Sequence, residues 1–272
     1  MLSPILAHWR ERPQRTWSVV ITVFGDAIVP RGGSVWLGTL LDLFSPMGID
    51  AGAVRTALSR LVADGWTERT RVGRNSQYQL AEKGQATFAA AANRIYAGSA
   101  PAWDGHFRLV LDPQDRPALD AMGYGQATPG LWIAPISAAT PSDPITMTAT
   151  IEIEAARQLA AKAWPLDRLG SSFARFIEAF AALPDWQDPA PLDAMIARTL
   201  LIHEYRRIVL HAPALPAEIL PPGWPGITAR TLCAAAYTAI LPASEAWLTA
   251  QNLPAAQDTL AQRFRGCVTK FS

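Results

Sequence analysis

The chain has 272 residues, half of them apolar, with 24 Lys/Arg against 23 Asp/Glu and a net charge of +1. That length allows two or three domains with sizeable cores, and the near-neutral balance excludes a generic polyanion binder. The two cysteines, Cys233 and Cys267, lie far apart with no metal-ligand spacing, no run of about eighteen apolar residues marks a membrane span, and Met1–Arg15 lacks a signal peptide's apolar core, so a cytoplasmic protein is expected.

Thr16 to Val29 reads as an apolar helix built on Trp17, Val20, Ile21, Val23, Phe24 and Ile28. Pro30-Arg31-Gly32-Gly33 stops it, because proline cannot continue the ladder and glycine favours a turn. Ser34 is then the expected cap of a second helix that buries Val35, Trp36, Leu37, Leu40, Leu41 and Phe44, ended by Ser45-Pro46-Met47-Gly48. Asp50 sits at the N-cap of a third helix running to about Asp64, with Gly65 as its C-terminal stop. Val54, Leu58, Leu61 and Val62 share one face of this helix. Arg55, Thr56, Ser59 and Arg60 fall mostly on the other.

Trp66 to Arg71 and Gln77 to Leu80 read as two strands joined by Val72-Gly73-Arg74-Asn75-Ser76. Lys83 to Ala97 reads as a further helix. Residues 1–96 carry 11 basic against 7 acidic side chains, and five arginines (Arg55, Arg60, Arg69, Arg71, Arg74) fall within residues 54–74. Three helices followed by a basic hairpin is the order of a winged helix-turn-helix. Arg, Thr and Ser on one helix face suit base edges in a major groove, and a basic hairpin tip suits phosphates. The expected DNA-binding set is Arg55, Thr56, Ser59, Arg60, Arg71, Arg74 and Ser76. The competing readings are a solvated basic face and a small α+β domain with no DNA role.

Ala97-Gly98-Ser99-Ala100-Pro101 is a plausible hinge. His106 to Leu111, Gly130 to Ala134 and Ile145 to Ile153 read as strands, and Pro113 to Met122 and Ala155 to Ala163 as helices. Gly123-Tyr124-Gly125 reads as a turn, not a dinucleotide fingerprint. Helices are expected over 166–183, 189–211, 226–240, 242–250 and 254–264, with a proline-rich connection from Pro213 to Pro225. His203-Glu204 begins like a zinc-protease motif, but Arg207 stands where the second histidine belongs. Asp104 and Asp112 are too few for a metal site. No catalytic residue, metal or cofactor is expected.

Arg206 and Arg207 have the chemistry to bind phosphates, although adjacent helical residues point about 100° apart. Trp103, Trp132 and Trp164 are candidates for stacking on an aromatic group, with core packing as the alternative.

Trp17 to Asp26 with Val29-Pro30-Arg31-Gly32-Gly33 resembles the opening of PaaX-type repressors of phenylacetic acid degradation. So do Val54 to Ala63 with Gly65-Trp66, and Gly73 to Leu80. Further matches are Trp103-Asp104-Gly105-His106-Phe107, Pro129-Gly130-Leu131-Trp132-Ile133, Tyr205 to Leu210, Leu215-Pro216-Ala217-Glu218 and Gly223-Trp224-Pro225-Gly226. The resemblance implies a homodimeric repressor of an aromatic-acid catabolic operon. It implies double-stranded operator DNA as partner, and release by an aryl-coenzyme A thioester, typically phenylacetyl-coenzyme A. Trp103, Trp132, Arg206 and Arg207 become the candidates for that effector.

The expected class is a helix-rich α+β protein in three parts. Residues 1–97 form a winged helix-turn-helix, 98–183 a ferredoxin-like (Cas2-like) middle domain, and 184–272 a helical C-terminal domain serving dimerisation or effector response. The Ala/Thr/Pro-rich stretch 137–150 and Pro165 depart from the family pattern. The alternatives are an acyl-coenzyme A-binding or -hydrolysing enzyme and a constitutive DNA binder with no inducer.

Overall fold

A computed structural model describes residues 1–11, 15–96, 102–142, 145–256 and 263–264. The fold is α+β, mostly helical with two small antiparallel sheets. The proposed hinge at 97–101, Cys267 and part of the helix expected over 254–264 lie outside the described residues. Two units divide the chain. The first comprises Met1–Ala97, Phe176–Arg207 and Arg230–Ser272, and the second Gly98–Arg175 and Ile208–Ala229. Residues 184–272 thus contribute to both.

In the first unit, α1 (Leu2–Arg10) precedes α2 (Thr16–Val23), which runs on through a π-helical turn (Phe24–Ile28) and a 3-10 turn (Val29–Arg31). Ser34 does not cap a helix. Ser34–Trp36 is a strand, β1, pairing antiparallel with β3 (Asn75–Leu80) through Ser34↔Gln79, Val35↔Tyr78 and Trp36↔Gln77. β-Branched Val35, almost fully buried, suits that pleated position, and the helix starts one turn later as α3 (Leu37–Phe44).

The ends of α4 (Ala51–Ala63) are set locally. The Asp50 carboxylate accepts from the Ala53 N–H at 2.9 Å. At the other end the Trp66 N–H reaches the Leu61 carbonyl and the Gly65 N–H the Val62 carbonyl, a Schellman closure in which Gly65 takes φ +72°. Val54, Ala57, Leu58 and Leu61 are the buried stripe. β2 (Thr67–Val72) pairs with β3 around a two-residue turn, Gly73-Arg74, giving the sheet order β1-β3-β2. The chain then enters α5 (Glu82–Tyr96).

The second unit holds β4 (His106–Leu111), α6 (Arg116–Ala121), β5 (Gly125–Thr128), β6 (Leu131–Pro135), β7 (Thr146–Thr150), α7 (Ile153–Ala163) and the start of α8 (Leu166–Phe180). Its sheet has the order β5-β6-β4-β7. The central strands are covered on both faces, as side-chain alternation requires. Phe107 and Ile133 pack with Ala156, Ala160 and Trp164, while Val110, Trp132 and Ala134 pack with Leu119 and Tyr124. The expected turn at 123–125 is half right: Gly123 turns the chain at φ +86°, but Gly125 opens β5. A Cβ on Gly125 would lie 2.6 Å from the Trp164 ring and 2.7 Å from the Ala163 carbonyl, so that strand needs glycine to sit against the helix.

The C-terminal helices are α9 (Pro191–Val209) and α10 (Pro225–Ala250). From Ala194 to His203 every residue of α9 is buried, as befits a helix enclosed on all sides. The two helices expected over 226–240 and 242–250 are one. Pro242 removes one backbone donor, but Ile240, Leu248 and Trp247 bury on either side of it and hold the helix together.

Candidate nucleic-acid interface

At about 100° per residue, Arg55, Thr56, Ser59 and Arg60 occupy roughly 140° of the circumference of α4, opposite its apolar stripe. All four are exposed. Among the described residues, Arg55, Thr56 and Ser59 make no side-chain hydrogen bond or ion pair. Arg60 has only a 3.7 Å contact with Asp64, and both side chains are more than half exposed. Such a pair is weak and salt-screened, so an incoming phosphate displaces it readily.

The hairpin adds cations. Arg69 and Arg71 alternate onto the same face of β2, opposite Tyr78 and Ser76. Arg71 donates to the Gly73 carbonyl at 3.2 Å, and Arg74 is exposed in the turn. Ser76, expected as a direct DNA contact, is not on the exposed surface. It is 7% exposed and its Oγ accepts from Arg69 Nε at 3.1 Å and Nη2 at 2.8 Å. Its role is to hold Arg69, a side chain that the sequence reading left outside its candidate set. The period-two pattern of Thr67-Glu68-Arg69-Thr70-Arg71 carried that signal.

The four effector candidates are divided between the two units. Trp103 and Trp132 belong to the second unit, Arg206 and Arg207 to the first. Trp132 is a core residue against Tyr124 and Leu119, with its indole N–H unpartnered among the described residues. The Trp103 ring lies 4.8 Å from Phe107. Arg206 turns back onto α2, donating from Nε to Thr22 Oγ1 at 2.7 Å and from Nη2 to both the carbonyl and the hydroxyl of Ser18 at 2.8 Å. Burial first, then the charge of Arg207, lowers its pKa to about 10, so it stays cationic at neutral pH. Arg207 is 43% exposed, 3.8 Å from Glu204.

The largest polar cluster was not foreseen. Asp26, within the π-helical turn, is 3% exposed. Its carboxylate accepts from Arg198 Nε at 2.6 Å, Arg263 Nη1 at 2.8 Å, and the hydroxyls of Tyr96 and Tyr237. Its carbonyl accepts from Arg198 Nη2 at 3.0 Å and from Arg263 Nη1 at 2.8 Å. Burial raises the Asp26 pKa, but Arg198, Arg263 and the Tyr96 hydroxyl outweigh it and hold the carboxyl below its ordinary 3.8. Arg198, fully buried on α9, also pairs with Glu245 on α10. Glu245 in turn pairs with Arg31 at 2.8 Å. An acid inside an otherwise apolar helix was the readable signal, because a buried carboxylate must find a partner.

His203, on the same helix as Arg198, is fully buried, with Nδ1 2.9 Å from Thr22 Oγ1 and its ring edge-on to Trp9. Burial, then the charges of Arg206 and Arg207, lowers its pKa from 6.5 to about 3. Between those values the unfolded chain binds the extra proton, so stability is present above about pH 6.5 and falls as pH drops toward 3. Urea unfolding of the wild type from about pH 7 to 5 is expected to lose up to roughly 1.4 kcal/mol per pH unit from this residue. His203→Gln should flatten the profile, and an unchanged slope would remove His203 as its source.

Two segments match family models: residues 15–84 match a PaaX-like protein and 164–250 a PaaX-like protein C-terminal domain. The chain is 34% identical to the transcriptional repressor PaaX of Escherichia coli strain K12, across 92% of this chain and 90% of that one. It belongs to the PaaX family. It is accordingly a transcriptional repressor of that family and not an enzyme. A solved structure, an uncharacterized protein Rv0674 from Mycobacterium tuberculosis, matches with a TM-score of 0.55 at 22% identity, covering 78% of this chain and 90% of that one. That likeness concerns the fold alone. In this PaaX-family chain the buried cluster joins the two matched segments, Asp26 and Arg31 from one and Arg198 and Glu245 from the other. Among the described residues no group of three or more His, Cys, Asp or Glu comes together as a metal site, and no helix is long and apolar enough to cross a membrane.

Proposed function

We propose that this repressor reads operator DNA through a winged helix-turn-helix in which α4 enters the major groove and the β2–β3 hairpin is the wing. The observation that carries this is the exposed, uncommitted face of Arg55, Thr56 and Ser59 on α4, together with Arg60 and three arginines on the hairpin. The bases are read by α4, and the wing neutralises phosphates. The protein acts in the cytoplasm as a homodimer, because one head offers few phosphate contacts and paired half-sites need two heads at fixed spacing.

The operon controlled is one for aromatic-acid (phenylacetate) catabolism, and an aryl-coenzyme A thioester such as phenylacetyl-coenzyme A releases the operator. The second unit is read as ferredoxin-like because its order β5-β6-β4-β7 matches that of a split βαβ sheet. It departs from the pattern in one respect: no described residue of 136–145, between β6 and β7, is helical, and α7 follows the last strand instead. Pro135 and Pro141 disfavour a helix among the described residues of that crossover.

The test is a gel-shift titration on the DNA upstream of the operon. A sequence-specific shift abolished by phenylacetyl-coenzyme A is expected. A shift untouched by any acyl-coenzyme A would overturn the effector half of the reading, and no specific shift would overturn the operator half.

A further inference from the structure

The first unit carries a cavity of about 380 Å³ bounded by the π-helical turn, the glycine pair after it, the end of β3 and α5. Leu80, Phe88 and Ala92 with the more exposed Val29 and Ala89 give it apolar walls, Gln79 and Gln85 add amides, and Arg263 is the one charged side chain among the described residues lining it. The volume falls within the usual range of small-molecule sites, and a dry cavity of about 150 Å³ already admits benzene. It exceeds what a phenyl or short alkyl acyl group needs, yet a whole nucleotide-bearing thioester would extend past its rim.

Arg263 is 14% exposed, and among the described residues its four hydrogen bonds all leave from Nη1, to Asp26, Tyr96 and Tyr237. The Nε and Nη2 edge is therefore not committed to the buried cluster. An open, mostly apolar pocket with a largely buried guanidinium favours an apolar group that ends in a carbonyl or carboxylate oxygen, because that oxygen meets the cation while the rest displaces water from the apolar walls.

We infer that this cavity is the effector site, taking the acyl group of an aryl or short alkyl thioester with its carbonyl oxygen on Arg263. The inference rests on the ligand-responsive reading above. It also supplies a route to the DNA. Leu80 and Gln79 in the cavity wall end β3, the strand that pairs with arginine-bearing β2, and Gly33 leads directly into β1 on its other side. Arg263 neutralises Asp26, so an oxygen drawn onto its guanidinium also weakens that hold. A ligand here bears on the hairpin's position without touching the DNA face, as a ligand that prefers one of two arrangements must.

The experiment is isothermal titration of phenylacetyl-coenzyme A into the full-length wild type and Ala92→Trp, with operator affinity measured in parallel. Ala92 lies half-buried on α5, so tryptophan fills the cavity with little demand on the core. Binding at least tenfold weaker in Ala92→Trp, with operator affinity within about twofold, is the expected result. Arg263→Lys keeps a cation for Asp26 but loses the fork, and severalfold weaker binding is expected there too. Equal binding by wild type and Ala92→Trp overturns the site and leaves the ligand-responsive reading intact. A wild type that binds operator but takes up neither phenylacetyl-coenzyme A nor phenylacetate overturns both.

Discussion

Replacing Arg198 with alanine is expected to destabilise the first unit by about 3–5 kcal/mol, the usual cost of removing one partner from a buried ion pair. Arg198 is fully buried and holds Asp26 and Glu245, which are 3% and 18% exposed. Truncation leaves the Asp26 carboxylate with Arg263 alone among cations, and Glu245 with Arg31 alone. Both acids then sit in surroundings that penalise charge. Lysine should rescue little, because the contacts run from three guanidinium nitrogens and a point charge cannot reproduce the fork.

Acid titration carries the same signature. The folded Asp26 pKa lies below the ordinary 3.8, so its contribution is complete above that value and is lost as pH falls through the folded pKa. Asp26→Asn should therefore flatten the acid limb below about pH 4. Chemical denaturation of Arg198→Ala checks the main claim, and a loss below about 1 kcal/mol would mean that the cluster is not what joins the two family segments.

The second large effect lies on α4. Alanine at Arg55 and at Arg60 is expected to cost about 1–3 kcal/mol of operator binding each, or roughly fivefold to more than a hundredfold. Stability should move by less than about 0.5 kcal/mol, because both side chains are solvent-exposed. The hairpin should behave differently. Arg74→Ala should weaken all sequences alike and reduce the salt slope by about one unit, as loss of a phosphate contact does. Anisotropy titrations on operator and scrambled duplexes separate the two behaviours. Equal losses on both duplexes for Arg55→Ala and Arg60→Ala would make α4 a backbone-tracking element and not the reader.

How much of this was legible depended on how local the determinants were. The limits of α4 were readable because Asp50 and Gly65 act within one turn of the helix they bound. The hairpin was readable because Gly73-Arg74 separates two strands that pair with each other across a two-residue turn. Ser34–Trp36 was misread as helix because its strand character comes from pairing with residues 77–79, and an apolar run of three carries no period of its own. The burial of Ser76 was missed for a related reason. A serine beside a turn looks exposed until the cross-strand partner that covers it is known.

The Asp26 cluster was least legible, since Asp26 lies 70, 172 and 237 residues from Tyr96, Arg198 and Arg263 and no spacing rule links them. Among the effector candidates, sequence suggested that Arg206 and Arg207 could not both face one ligand. Only the packing of α9 on α2 decided that Arg206 is the one held inside.

The most direct measurement is the affinity of the wild-type chain for its upstream operator against a scrambled duplex of equal length, at about 150 mM salt. The proposed winged-helix reading predicts operator binding at least about a thousandfold tighter than binding to the scrambled duplex, the usual margin of specific over non-specific DNA binding. Equal affinity for the two would contradict it, and would leave α4 and its hairpin as a charged surface that reads nothing.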